Sequence, residues 1–175
     1  MIVTKNKFAI GGFSDVIFDE ENKMVYKIFK SFLHPSADRD NLDEFGYITY
    51  MQRVFKSEMD AYLIISEQEL KKYFPVYYPD IAISKVIDLD ESDISAHYLL
   101  DCCLCLEYIR GDFFKWNQYD DEMLLRDYLF NREEVFNNLN QYGVAFTVDC
   151  SLAINGASVK LIDVATTDFD CLRPQ

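Results

Sequence analysis

Two charged side chains stand where apolar ones belong. Lys27 lies inside Met24–Phe29, an apolar run that reads as a strand, and shares a strand face with Val25 and Phe29. Glu58 falls on a helical stripe made by Met51, Val54, Phe55, Glu58, Tyr62 and Ile65, which recur at spacings of three and four. A carboxylate on a buried face costs several kcal/mol unless a cation or hydrogen-bond donors satisfy it. One ion pair between Lys27 and Glu58 explains both anomalies. The alternative is that each reaches solvent at an edge, the lysine by laying its stem along apolar surface.

Thiol chemistry is the second possibility. The chain has five cysteines, three of them (Cys102, Cys103 and Cys105) within the apolar stretch Leu99–Leu106. As a strand, that stretch puts Cys103 and Cys105 on one face and Cys102 on the other. Two same-face thiols without a second pair or a nearby histidine make a poor zinc site. The reading is reduced, buried core cysteine in a reducing compartment, the cytosol. Cys150 beside Asp149 lacks the well-placed histidine that an activated thiol needs. His34 and His97 are far apart in sequence, and neither has a partner that suggests catalysis.

The elements that position these residues are legible. Phe8–Ile10 and Asp15–Phe18 flank Gly11-Gly12 and read as a hairpin, with Met24–Phe29 as a third strand. Ser31–Gly46 is a loop. A helix spans about 47–70, which contains neither Pro nor Gly. Ile81–Ile87 and Tyr98–Ile109 follow as fourth and fifth strands. A second helical region covers about 121–142 and ends at Gly143, a left-handed cap position. Ser151–Ile154 and Val159–Asp163 flank Asn155-Gly156, a hairpin turn.

Composition bounds the function. In 175 residues, half are apolar and 15% aromatic, enough to bury a core and to exclude disorder. The net charge of −13 argues against a nucleic-acid groove or an anionic membrane surface, and fits a basic protein partner or simply solubility. No apolar run approaches the roughly 18 residues of a membrane span, and the first residues lack the apolar core of a secretory signal.

In this order, several segments resemble parts of a protein kinase. Ala9-Ile10-Gly11-Gly12-Phe13-Ser14-Asp15-Val16 resembles a glycine-rich loop. Met24-Val25-Tyr26-Lys27 resembles the third-strand lysine motif, and Glu58 the helix-C glutamate. Leu106–Gly111 resembles the hinge, and Val159–Asp163 the strand that delivers a metal-binding aspartate. The resemblance implies an α+β, protein-kinase-like fold. Its N-lobe, residues 1–110, would hold a five-stranded antiparallel sheet and a C-helix. Its C-lobe, residues 111–175, would be reduced, mainly helical and ended by a small hairpin. It also implies ATP and Mg²⁺ as cofactors. The turn at Gly11, Gly12 and Ser14 would approach phosphate, Lys27 would add a point charge, and Glu58 would hold that ammonium. Asp163 would bind the metal, and the backbone at Glu107 and Tyr108 would meet the adenine.

The pattern is incomplete. Ala9 replaces the first glycine, and Asp163-Val164-Ala165 replaces Asp-Phe-Gly. No His-Arg-Asp follows Gly143. Asp149, the only acid between Gly143 and Asp163, stands either as catalytic base with a shortened loop after it, or in the place of the metal-binding asparagine. A third reading makes it a loop carboxylate capping local N–H groups. Asn155 reads as a turn residue. Phe113, Phe114 and Trp116 read as lobe packing, and Thr166 and Thr167 as tail hydroxyls meeting solvent. Three functions compete: a minimal ATP-dependent Ser/Thr phosphotransferase, a pseudokinase that binds a basic protein, and an unrelated α+β inhibitor. In size the chain is similar to kinase-like effectors that bacteria deliver into a host cytosol, an analogy only.

Overall fold

The structure, a computed structural model, describes residues 1–39, 41–115, 132–155 and 158–167. Over these residues the chain is α+β, with mostly antiparallel strands. It forms two compact units. Among the described residues, one comprises Met1–Lys56 and Tyr77–Tyr108; the other comprises Ser57–Val76 and those from Ile109 to Thr167. None of the described helices is long and apolar enough to cross a membrane.

In the first unit, β1 (Ile2–Thr4) is followed by β2 (Phe8–Ile10), β3 (Ser14–Asp19) and β4 (Met24–Lys30). Helix α1 (Glu44–Ser66), which passes into the second unit at Ser57, β5 (Lys85–Ile87) and β6 (Tyr98–Glu107) come next. The antiparallel sheet has the order β2-β3-β4-β6. The turn after β3 forms because the Asp19 carboxylate accepts the Asn22 N–H at 2.9 Å, and Lys23 adopts a positive φ of 58°. The five-stranded sheet expected from the sequence is therefore four-stranded. The Ile81–Ile87 stretch supplies only Lys85–Ile87, and this strand pairs in parallel with Ile2–Thr4. The chain start outcompetes the main sheet for it: the terminal ammonium donates to the Ala82 carbonyl at 2.6 Å, and the Ser84 N–H to the Met1 carbonyl at 2.8 Å.

Strand alternation sorts the sheet into two faces. Ile17, Tyr26, Ile28 and Cys105 join Val3, Ile83, Val86 and Tyr98 in one buried core. Val16, Lys27 and Leu104 stand side by side on the opposite face, in one register across three strands. Phe29 belongs to that face too, and meets Phe55 of α1 edge-to-face at 5.6 Å. Phe13–Tyr50 and Phe32–Tyr47, at 5.9 and 5.8 Å, fasten the first turns of the helix in the same way. The helix starts at Glu44, three residues before the expected Tyr47, because Asp43 caps it by accepting the Gly46 N–H at 2.7 Å.

In the second unit, β7 (Asp112–Lys115), α2 (Arg132–Gln141), β8 (Val144–Asn155) and β9 (Ser158–Thr166) follow in the chain. The strands form one antiparallel sheet in the order β7-β8-β9. The expectation of a mainly helical C-lobe with a small hairpin is thus corrected. The hairpin strands are long, and a third strand joins them. Val144–Val148, rich in β-branched and aromatic residues, extends β8 where a catalytic loop was sought. Gly143 takes a φ of 73° and ends α2 as expected. Leu152, Leu161 and Val164 of the sheet and Val135 and Leu139 of α2 are buried. Helix residues 121–131, Trp116, Gly156 and the tail after Thr167 lie outside the described residues, as does the Phe114 side chain. Phe113 is exposed rather than packed.

Candidate functional site

The glycine turn joins β2 to β3. The Gly11 N–H donates to the Ser14 carbonyl at 2.9 Å, and a Cβ on Gly11 would stand 3.0 Å from that same oxygen. Gly11 is therefore required by the turn itself. Gly12 is not: its φ is not positive, and a Cβ there would meet nothing within 4 Å. Its N–H has no hydrogen-bond partner among the described residues. Ser14 opens β3 and is buried.

Behind this turn lies a charge cluster that the sequence reading missed. Asp15 is fully buried, and its Oδ2 accepts hydrogen bonds from Lys5 Nζ at 2.6 Å and the Tyr98 hydroxyl at 2.8 Å. His34 Nε2 stands 3.3 Å from the same oxygen, and Lys30 Nζ lies 3.8 Å from Oδ1. Lys30 is only 1% exposed, and its ammonium donates to the Gly11 carbonyl. Burial works against the Asp15 carboxylate, but hydrogen bonds from Lys5 and Tyr98 and the charges of Lys5 and His34 outweigh it, so its pKa lies below the ordinary value. Burial pushes the Lys30 ammonium down despite Asp15. His34 and His97, far apart in sequence, meet edge-to-face at 5.9 Å.

The tautomer of His34 follows from its neighbours. Nδ1 accepts the Ser36 N–H at 3.1 Å, which leaves Nε2 to carry the proton toward Asp15. A second proton on Nδ1 would oppose the Ser36 donor. Burial, helped by the Lys30 and Lys5 charges, also lowers the His34 pKa from 6.5, against the pull of Asp15. The unfolded chain therefore takes up this proton first, and stability falls as pH drops below about 6.5. A second loss follows at lower pH, as Asp15 protonates through its depressed folded value. Unfolding free energies from urea melts between pH 7.5 and 5.5 should decline by at most about 1.4 kcal/mol per pH unit. His34→Gln should flatten that interval; an unchanged slope would assign the effect elsewhere.

Lys27 sits half-buried at the centre of β4, between Val16 and Leu104. Glu107 ends β6, and Tyr108 follows it. The Tyr108 N–H is already donated to the Lys23 carbonyl at 2.9 Å, and its ring meets Phe18 at 6.0 Å. Cys103 and Cys105 share a face of β6, with their sulfurs 3.8 Å apart. Burial pushes the Cys102 thiol up to about 11, with the Asp101 charge adding to it, which makes that thiol a poor nucleophile.

The second unit holds the remaining candidates. Glu58 is buried at 4% exposure. One residue earlier, the Ser57 hydroxyl meets Thr166 Oγ1 at 2.7 Å and accepts the Thr166 N–H at 3.1 Å. Thr166 is thus the last residue of β9 and fastened to α1, not a tail hydroxyl. Asp163, three residues before it, has a φ of 65°. The other described non-glycine residues with positive φ, Lys23, Asn41 and Glu91, lie in turns or bends. Asp163 alone among them takes this conformation inside a strand, at a local cost of about 1–3 kcal/mol. The ladder explains how it is held. Phe146 pairs with Val164 and Ser151 with Ile162, so residues 147–150 stand opposite Asp163 alone. Asp149 belongs to that bulge; its backbone is described, and it lies in strand β8 rather than in a loop.

The structure thus groups the glycine turn, Lys27, Glu107 and Tyr108 in one unit, and Glu58, Asp163 and the backbone of Asp149 in the other. Among the described residues no three His, Cys, Asp or Glu side chains gather into a metal cage. Mg²⁺ does not need one, since it is commonly held by one or two carboxylates plus substrate phosphates and water. Comparison of the chain with protein-family models, curated proteins and solved structures gave no match.

Proposed function

We propose that this chain is a kinase-like protein that binds Mg·ATP. Lys27 would neutralise phosphate charge, Glu58 would hold the lysine, and Asp163 would ligate the metal. The turn at Gly11, Gly12 and Ser14 would lie against the phosphates. Because the Tyr108 N–H is taken, the Glu107–Tyr108 segment would offer the adenine a carbonyl, which accepts from an amino group. The observation that carries this reading is the left-handed backbone of Asp163 inside β9, strain of the kind kept at working sites. Gly12 supports it: among the described residues nothing requires a glycine there, whereas a phosphate approaching the backbone would.

Calorimetric titration with ATP, with and without Mg²⁺, tests the reading; no binding at millimolar ATP ends it. Lys27→Ala should weaken binding at least about tenfold, or about 1.4 kcal/mol. Gly12→Ala should leave the fold intact or stabilise it by up to about 1 kcal/mol, yet weaken nucleotide binding. Equal affinity in Gly12→Ala would remove phosphate from that turn.

Whether bound ATP is used is a separate matter. Transfer to a protein Ser or Thr needs a base, for which Asp149 is the candidate. A second reading is a pseudokinase that acts in the cytosol as an acidic module on a basic protein. It is favoured by β8 running as a strand through the stretch where a catalytic loop was sought, and by the net charge of −13. Transfer of labelled phosphate that is lost in Asp163→Asn supports the enzyme. Capture of a basic protein that weakens with salt supports the module.

A further inference from the structure

The glycine turn has carbonyl groups as well as N–H groups, and carbonyl oxygens repel an anion. In this protein Lys30 claims two of them. Its side-chain ammonium binds the Gly11 carbonyl, and its backbone N–H binds the Phe13 carbonyl at 3.0 Å. The Ser14 carbonyl is taken by the Gly11 N–H. Among the described residues the Gly12 N–H and the Gly12 carbonyl are left without a partner, and a Cβ on Gly12 would meet open space. Lys30 can do this because it lies on the sheet face opposite Lys27 and is buried there. Asp15, 3.8 Å away, keeps its charge tolerable, and is itself fixed by Lys5, His34 and Tyr98. The ladder fixes the position of Lys30 from outside: it pairs with Tyr98, past a register shift that follows Ile28.

We propose that Lys30, backed by Asp15, is a positioning residue of the glycine turn: its ammonium holds the Gly11 carbonyl inward, so that one carbonyl oxygen fewer faces an anionic, phosphate-bearing ligand at the Gly12 N–H. This inference rests on reading the turn as a phosphate-binding element. It assigns the second strand lysine a task distinct from that of Lys27, which would touch the ligand itself.

The test uses the full chain and two variants. Lys30→Met removes the ammonium and keeps the stem, but leaves Asp15 with one cation fewer. The double variant Asp15→Asn/Lys30→Met removes both charges, so no unpaired ion is buried if the single variant fails to fold. Amide hydrogen exchange at Gly11, whose N–H the Ser14 carbonyl holds, is compared with exchange in β4 and β6, and Mg·ATP binding is titrated. Exchange at the turn should rise at least about tenfold while the β4–β6 core stays protected, and affinity should fall by about the same factor. Exchange that rises equally throughout the sheet would make Lys30 merely structural and overturn the proposal. So would a double variant with wild-type turn exchange and wild-type affinity. If the wild-type chain binds no Mg·ATP, the nucleotide reading fails by itself. The turn-against-core exchange then still decides whether Lys30 positions the turn.

Discussion

Asp15→Ala should be the most damaging single substitution in the first unit, with a loss of about 3–5 kcal/mol in unfolding free energy. The reason lies in what remains after the carboxylate goes. Lys30 stays 1% exposed, with its nearest anion deleted and the Gly11 carbonyl as its remaining acceptor. The Lys5 ammonium and the Tyr98 hydroxyl lose the oxygen they share. Removing one member of a buried charge cluster is far more damaging than replacing the whole cluster by apolar groups, because an unpaired ion is left in a low-dielectric site. The comparison that isolates this cause is Asp15→Ala against Asp15→Ala/Lys30→Met. Chemical denaturation should show the second substitution restoring a large part of what the first removes. If the double variant is as unstable as the sum of its parts, the two side chains do not interact, and the damage belongs to a cavity instead.

Much of the first unit was legible because its signals are local. Gly11-Gly12 breaks an apolar run, and the three-four spacing from Met51 to Ile65 makes a helix whichever way the rest folds. The charge cluster was not legible, because its members stand at positions 5, 15, 30, 34 and 98, and only strand pairing brings them together. Each also had an innocent local reading. Asp15 opens the strand that follows the glycine turn, where an acid excites no notice, and Lys30 after Phe29 looks like a strand end. A signal did exist: Asp15 alternates with Ile17, and Lys30 with Ile28, on the apolar face. Lys27 stands out because it interrupts a run; Lys30 does not, because it closes one. The second unit misled for another reason. The stretch from Val144 onward lacks the catalytic-loop motif, and its β-branched composition favours a strand. The bulge opposite Asp163 is a property of register between two strands, and neither strand encodes it alone.

Substitutions at Asp163 should separate stability from binding. At a φ of 65°, asparagine is as well tolerated as aspartate, so Asp163→Asn should melt within a few degrees of the wild-type chain. Its carboxamide carries no charge and holds Mg²⁺ poorly, so Mg²⁺-dependent ATP binding should fall at least about tenfold, or about 1.4 kcal/mol. Asp163→Val asks the reverse question. A β-branched residue is a true outlier in the left-handed region, so this variant should lose about 1–3 kcal/mol of stability as well as binding. Asp163→Gly adopts the conformation without strain, and should match or exceed the stability of the asparagine variant while binding no better. Calorimetric melting and ATP titration on the same three proteins give two orderings. Under the proposed role, stability should run glycine and asparagine above valine, whereas all three lose nucleotide. If asparagine binds Mg·ATP as well as aspartate does, no metal is held at this position. The strained backbone would then owe its shape to the four-residue bulge at 147–150 alone.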